Sequence, residues 1–180
     1  MRGSKSQPRL VPDTPLPPYA YVTGRFPHPT SDPAGHSFGH PSLTPPPIDP
    51  QRWYDSREYL LGCDLFNYGY SWEAHELWES LWQACGRRGA MADFLKGLIK
   101  LAAAGVKARE GRSAGVQRHA ARARELFERV EREVGDHYLG LDIPWLTATA
   151  ATLDSHLMSL DDHAAVVILF DFTLLPRASQ

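Results

Sequence analysis

Proline is distributed very unevenly along this chain of 180 residues, and this distribution restricts what its two parts can form. Most of the fifteen prolines lie before residue 48, in runs such as residues 12–18. Each proline removes a backbone N–H donor and fixes φ, so closely spaced prolines exclude a helix. We therefore predict a Pro-rich extended arm over residues 1–47 and a helical domain over residues 48–180.

The arm carries more aromatic residues than a solvated linker would. Tyr19, Tyr21, Phe26 and Phe38 all lie in its central part. Disordered linkers are poor in aromatic residues because they bury no core. We therefore expect residues 18–42 to pack on the helical domain.

After Pro50 the apolar residues recur at the three- and four-residue spacing of amphipathic helices. We expect Asp49 to cap the first helix and Pro50 to be its first residue. The pattern predicts five helices and an apolar extended tail: residues 50–67, 70–84, 91–110, 113–133, a fifth helix that begins at Asp142 and whose leucines reach Leu157 and Leu160, and the tail 166–175. The predicted fold class is all-α, a compact bundle of about five helices.

Charge and composition exclude several classes of function. A formal net charge of −2 gives no whole-domain attraction to nucleic acid. The longest aliphatic run, residues 164–170, is far shorter than the roughly 20 residues that a membrane-spanning helix needs, and the N-terminal residues lack the apolar stretch of a signal peptide. We expect a cytoplasmic protein, with neither a membrane nor nucleic acid as a partner, in which Cys63 and Cys85 are reduced.

The predicted helix over residues 70–84 carries a row of polar side chains beside its apolar face. The polar residues are Glu73, His75, Glu76 and Glu79. Carboxylates three residues apart on an exposed helix repel one another by roughly a few tenths of a kcal/mol, which is about as much as an oppositely charged pair at that spacing gains. Burial against basic side chains, protonation or a bound cation would offset that repulsion.

These four residues allow two interpretations. His75 and Glu79, four residues apart, share one face and are the best candidates for a divalent metal ion, with His75 alternatively acting as a general base. The plainer interpretation is that Glu73 and Glu76 favour the positive end of the helix and that His75 bonds to a neighbouring helix. Whether the protein is an enzyme stays open at this point.

A second candidate cluster lies in the arm. His28, Asp32, His36 and His40 follow one another at intervals of four residues in a segment rich in Pro and Gly. A loop can wrap a divalent ion such as zinc with these side chains. The same residues also suit turns, since Asp before Pro starts a turn, and their spacing matches no zinc signature.

Three segments resemble one family: FNYGYSWEAHELWESLW over residues 66–82, GLIKLAAA over residues 97–104 and GLD over residues 140–142. The family is domain of unknown function 309, and the resemblance extends over residues 55–148. It implies a small helical bundle and no established activity. It also implies that the motif positions of this chain are Glu73, His75, Glu76, Glu79 and Trp82.

The packing residues allow an alternative function, because their spacing echoes a tetratricopeptide unit. Leu61, Gly62, Leu65, Ala74 and Trp78 fit such a unit. Two irregular units are fewer than the three or so that a stable array needs. The alternative is therefore a tetratricopeptide-like interaction module without catalysis, which presents tryptophans to a protein partner or to a second copy of the chain.

Overall fold

The computed structural model describes residues 8–41, 44–153 and 164–177. Within these ranges it has five α-helices: α1 (Arg57–Asn67), α2 (Ser71–Ala84), α3 (Gly89–Arg109), α4 (Ser113–Val134) and α5 (Ile143–Thr152). A short 3-10 helix (Trp53–Asp55) precedes α1, and an antiparallel pair of strands, β1 (His137–Tyr138) and β2 (Leu141–Asp142), joins α4 to α5. The predicted all-α bundle is confirmed. No helix in the described ranges combines the length and the apolar character needed to cross a bilayer.

The first helix begins later than its sequence pattern predicts. α1 starts at Arg57 and is capped by the hydroxyl of Ser56. Asp49, the predicted cap, instead accepts a hydrogen bond from the N–H of Gln51 at 2.9 Å. This bond closes a local turn, so the prediction that Pro50 is the first helical residue is wrong.

The fifth helix begins where its sequence predicts. The Oδ1 atom of Asp142 accepts a hydrogen bond from the N–H of Trp145 at 2.8 Å, which satisfies one of the free donors of the first turn. The helix ends at Thr152. Leu157 and Leu160, which we also predicted in this helix, lie outside the described residues.

The chain order of α1 to α4 is also their packing order, with α3 between α2 and α4. α3 has little exposed surface because most of its residues are buried, among them Phe94, Leu98 and Leu101. Gly97 allows α4 to approach closely, because a Cβ atom on it would lie 2.4 Å from Cε1 of Phe127. This close packing holds the polar faces of the three helices beside one another.

The predicted apolar arc of α2 faces this core. Ala74, Trp78 and Leu81 are fully covered, and Leu77 and Trp82 pack at the edge of the core. Burying a side chain as large as that of Trp78 contributes a large share of the local packing energy. The apolar arc thereby fixes which way the polar residues of α2 point.

The tail and the described part of the arm contact the helices, and residues 29–39 of the arm form consecutive turns. In the tail, the ring of Phe170 stacks on that of Phe66 of α1 with the ring centroids 4.7 Å apart. In the arm, the N–H of Ala20 donates to the carbonyl of Ala165, which directly precedes the tail, at 2.9 Å. The hydroxyl of Tyr70 donates to the arm carbonyl of Pro17 at 2.8 Å. The described part of the arm therefore covers the junction between α1 and α2.

Candidate functional site

The two polar clusters singled out in the sequence meet at one carboxylate. Glu73 lies in the first turn of α2 and is only 8% exposed. Its Oε1 atom accepts a hydrogen bond from the N–H of Tyr21 at 2.8 Å, and Nε2 of His36 lies 3.3 Å from the same oxygen. The other oxygen, Oε2, is buried without a hydrogen-bond partner among the described residues. Burial raises the pKa of Glu73, and the hydrogen bonds from Tyr21 and His36 act in the opposite direction.

Aromatic rings of the arm hold His36 over the start of α2. The hydroxyl of Tyr19 accepts a hydrogen bond from the N–H of His36 at 3.3 Å, and the two rings lie 4.8 Å apart. The ring of Tyr21 packs edge-on against that of Trp72 at 5.1 Å. The arm thus covers Glu73, which acts in this structure as an anchor for the arm.

The remaining residues of the arm cluster do not converge. The Oδ1 atom of Asp32 accepts a hydrogen bond from the N–H of Ala34 at 2.9 Å, and the Nδ1 atom of His28 faces nearby backbone N–H groups. His40 is exposed. These are the contacts of turns, and only His36 of the cluster reaches the helical domain through a carboxylate. Across residues 8–41, 44–153 and 164–177, no three His, Cys, Asp or Glu side chains gather as they would around a metal ion.

The other polar residues of α2 have partners on the helical domain. Glu79 forms an ion pair with Lys96 of α3, with Oε2 and Nζ 3.1 Å apart, and that same ammonium lies 3.9 Å from the ring centroid of Trp82. Nδ1 of His75 lies 3.1 Å from Oε1 of Glu76. A basic side chain therefore offsets the charge of Glu79, and a metal ion on His75 and Glu79 would have to displace Lys96.

Lys100 of α3 lies at the same level of the bundle as His75 of α2. The ion pair between Glu79 and Lys96 shows the antiparallel register of α2 and α3. His75 comes four residues before Glu79, and Lys100 comes four residues after Lys96, so both lie one turn further along. Gly105, against which Ser71 packs, continues the same register.

His119 of α4 completes a row across three helices. Gly115 packs against the side chain of Lys107, since a Cβ atom on it would lie 2.8 Å from Cγ of that lysine. His119 follows one turn later on α4, which places it between Lys107 and Lys100 of the antiparallel α3. We call His75, Lys100 and His119 the basic row.

The electrostatics of the basic row are unbalanced. Burial and the charges of Lys100, Arg118, Lys107 and His75 lower the pKa of His119 to about 4. Burial and the charge of Lys96 also lower the pKa of Lys100, with Arg122 adding to the effect and Glu79 opposing it. Within the described part of the chain, Lys100 and His119 have no hydrogen bond and no ion pair. Lys100 and His119 are therefore half-buried donors without an acceptor, whereas His75 has Glu76 as its partner.

Part of the chain matches the model of a known family. Residues 59–119 match the model of the family described as Domain of unknown function (DUF309). This range runs from α1 into the first part of α4. The match confirms the family resemblance over a shorter range than residues 55–148, and it includes both Glu73 and the basic row. No curated protein and no solved structure matches the chain.

Proposed function

We propose that this protein binds a small anionic ligand on the basic row formed by His75, Lys100 and His119. The observation that carries the proposal is the ammonium group of Lys100, which is half-buried and lies beside His119 without a carboxylate partner in the described residues. Burying a cation without a counter-charge costs free energy, and a bound anion would remove that cost.

The surrounding charges favour one anionic group over a polyanion. Three neighbouring cations each hold a carboxylate already: Lys96 holds Glu79 at 3.1 Å, Lys107 holds Glu110 at 2.7 Å and Arg122 holds Glu125 at 2.6 Å. Lys100 has no such carboxylate partner among the described residues, and its ammonium offers three donors. The net charge of −2 likewise suits a small ligand better than a nucleic acid.

The test is thermal unfolding in sodium sulfate against sodium chloride of equal ionic strength. A ligand at one hundred times its Kd stabilises the folded state by about 2.7 kcal/mol. For a chain of this size, that is a rise in Tm of roughly 5 to 10 °C. We expect this sulfate-specific rise in the wild-type protein and its loss in Lys100→Met, which keeps the length and the apolar part of the side chain.

The matched control is Arg132→Gln, which removes one positive charge from an exposed position of α4. It should respond to sulfate as the wild type does. An equal response of the wild type, Lys100→Met and Arg132→Gln would mean that sulfate acts through general salt effects, and it would overturn the proposal.

The other functions stay predictions, because no specific contact favours them. A divalent ion on His75 and Glu79 competes with the ion pair to Lys96. An interaction module would present its tryptophans to a partner, but Trp78 is fully buried and the ring of Trp72 is partly covered by the arm. The anionic ligand is the candidate that uses Lys100 and His119, which have neither a hydrogen bond nor an ion pair within the described ranges.

A further inference from the structure

His119 faces positive charge from three helices. The packing of Gly115 against Lys107 sets the register that places His119 between Lys107 and Lys100 of α3. His75 of α2 and Arg118 of α4 also act electrostatically on the imidazole. Lys96 and Arg122 extend the positive region around Lys100, where the nearby carboxylate is that of Glu79, which is already bonded to Lys96. An imidazole in this position meets cations on each helix that surrounds it.

This environment makes the imidazole neutral in the free protein at neutral pH, because its pKa is lowered to about 4. A neutral imidazole has one N–H donor and one lone pair, and the lone pair repels an oxyanion. A dianion beside Lys100 would supply the negative charge that the region lacks. It would then favour the protonated ring, which has two N–H donors and a positive charge.

We propose, resting on the function proposed above, that the basic row binds a doubly charged oxyanion, of the phosphate monoester or sulfate class, together with one proton that His119 holds. The donors of the bound state are then the ammonium of Lys100 and the imidazolium of His119. His75, on the other side of Lys100, contributes to the positive field.

The coupling has a definite sign and limit. A group whose pKa rises on binding makes binding tighter as the pH falls, because the proton and the anion assist each other. Between the free and the bound pKa values of one such group, the affinity changes by up to about tenfold per pH unit. Below about pH 4, the pKa of His119 in the free protein, no further gain is expected.

The experiment is isothermal titration of the full chain with sulfate from pH 5.5 to 8 at constant ionic strength. Sulfate keeps both charges over this range, so any pH dependence belongs to the protein. At each pH the titration is repeated in two buffers of different ionisation enthalpy, which gives the number of protons taken up. We expect the Kd to weaken by up to about tenfold per pH unit and the uptake to approach one proton.

Two matched variants assign the proton to one histidine. His119→Gln cannot hold a proton and should bind sulfate weakly, with a Kd that loses most of its dependence on pH. His137→Gln, at an exposed position outside the basic row, should keep the affinity and the pH dependence of the wild type. The imidazole signals of the wild-type protein in NMR give a readout that needs no variant, since sulfate should move the titration of His119 to higher pH.

The outcomes separate the two proposals. Sulfate binding with a Kd that does not depend on pH would overturn the role of His119 and leave the anion site intact. Binding whose pH dependence survives in His119→Gln would do the same. An absence of sulfate binding at every pH would overturn the anion site itself, and with it the proton coupling.

Discussion

Asp64 anchors the first part of the arm to α1, and its removal should detach that part. The carboxylate is 1% exposed and accepts three hydrogen bonds from consecutive arm residues. They come from the N–H of Leu10 at 2.9 Å, the N–H of Val11 at 2.8 Å and Nε of Arg9 at 3.2 Å. We therefore expect Asp64→Ala to lower the free energy of unfolding substantially.

The size of this effect follows from the contacts of Asp64. A hydrogen bond to a charged group contributes about 1.5 to 3 kcal/mol. Three such bonds do not add fully, because the released N–H groups and the guanidinium of Arg9 regain water. Breaking a buried ion pair by removing one partner costs about 3 to 5 kcal/mol. We expect a loss in this range for Asp64→Ala.

Urea unfolding followed by tryptophan fluorescence measures the loss, and hydrogen exchange locates it. The N–H groups of Leu10 and Val11 should lose protection in Asp64→Ala. Asp13→Ala is the matched control, since Asp13 also pairs with an arginine, Arg57 at 2.9 Å, but its side chain is 66% exposed. It should leave the unfolding midpoint unchanged. Equal midpoints for the two variants, or full protection of Leu10 in Asp64→Ala, would refute the reasoning.

Three further predictions concern α2 and α3. Burial raises the pKa of Glu73 in the folded protein, so the stability that its protonated form contributes is lost as the pH rises through that pKa. Because Gln carries no charge, Glu73→Gln should have a higher urea midpoint than the wild type at pH 7.5 and an equal midpoint at pH 4. Gly97→Ala would place Cβ 2.4 Å from Cε1 of Phe127. The overpacking should cost about 1 to 3 kcal/mol, while the better helix propensity of Ala should gain about 1 kcal/mol, so we expect a net loss of stability. A rise in Tm would contradict this expectation. Lys100→Met removes a positive charge that lies near other cations, so its Tm should exceed that of the wild type in low salt. The difference in Tm should shrink as salt screens the repulsion between these cations. A difference that does not depend on salt would argue against repulsion as the cause.

Periodicity predicted most of the fold because the long helices bury one continuous face each. The apolar arc of α2 and the cap of α5 at Asp142 could both be inferred from local rules. The strands β1 and β2 could not, because two residues are too few to show an alternating pattern. Their turn places Leu139 at φ 46°, a conformation that its side chain does not indicate in advance.

The sites depended on contacts that are distant in sequence. His75 and Glu79 could be assigned to one face from their spacing alone. The approach of His36 to Glu73 joins residues 37 positions apart and needs the path of the arm. The basic row needs the register of three helices, so neither Lys100 nor His119 stood out in a single segment. Local sequence patterns therefore predicted the helices, while the charge balance of the site could be read only from the way the helices pack.

The carboxylates of α2 are already bonded to other groups, and this explains why Lys100 lacks a counter-charge. Glu73 and His75 are two residues apart, so they point about 200° apart around the helix. Glu73 is committed to the arm through Tyr21 and His36, and Glu79 is committed to Lys96. Neither carboxylate is available to Lys100, although both lie on the neighbouring helix. This is why we assign the missing negative charge to a ligand.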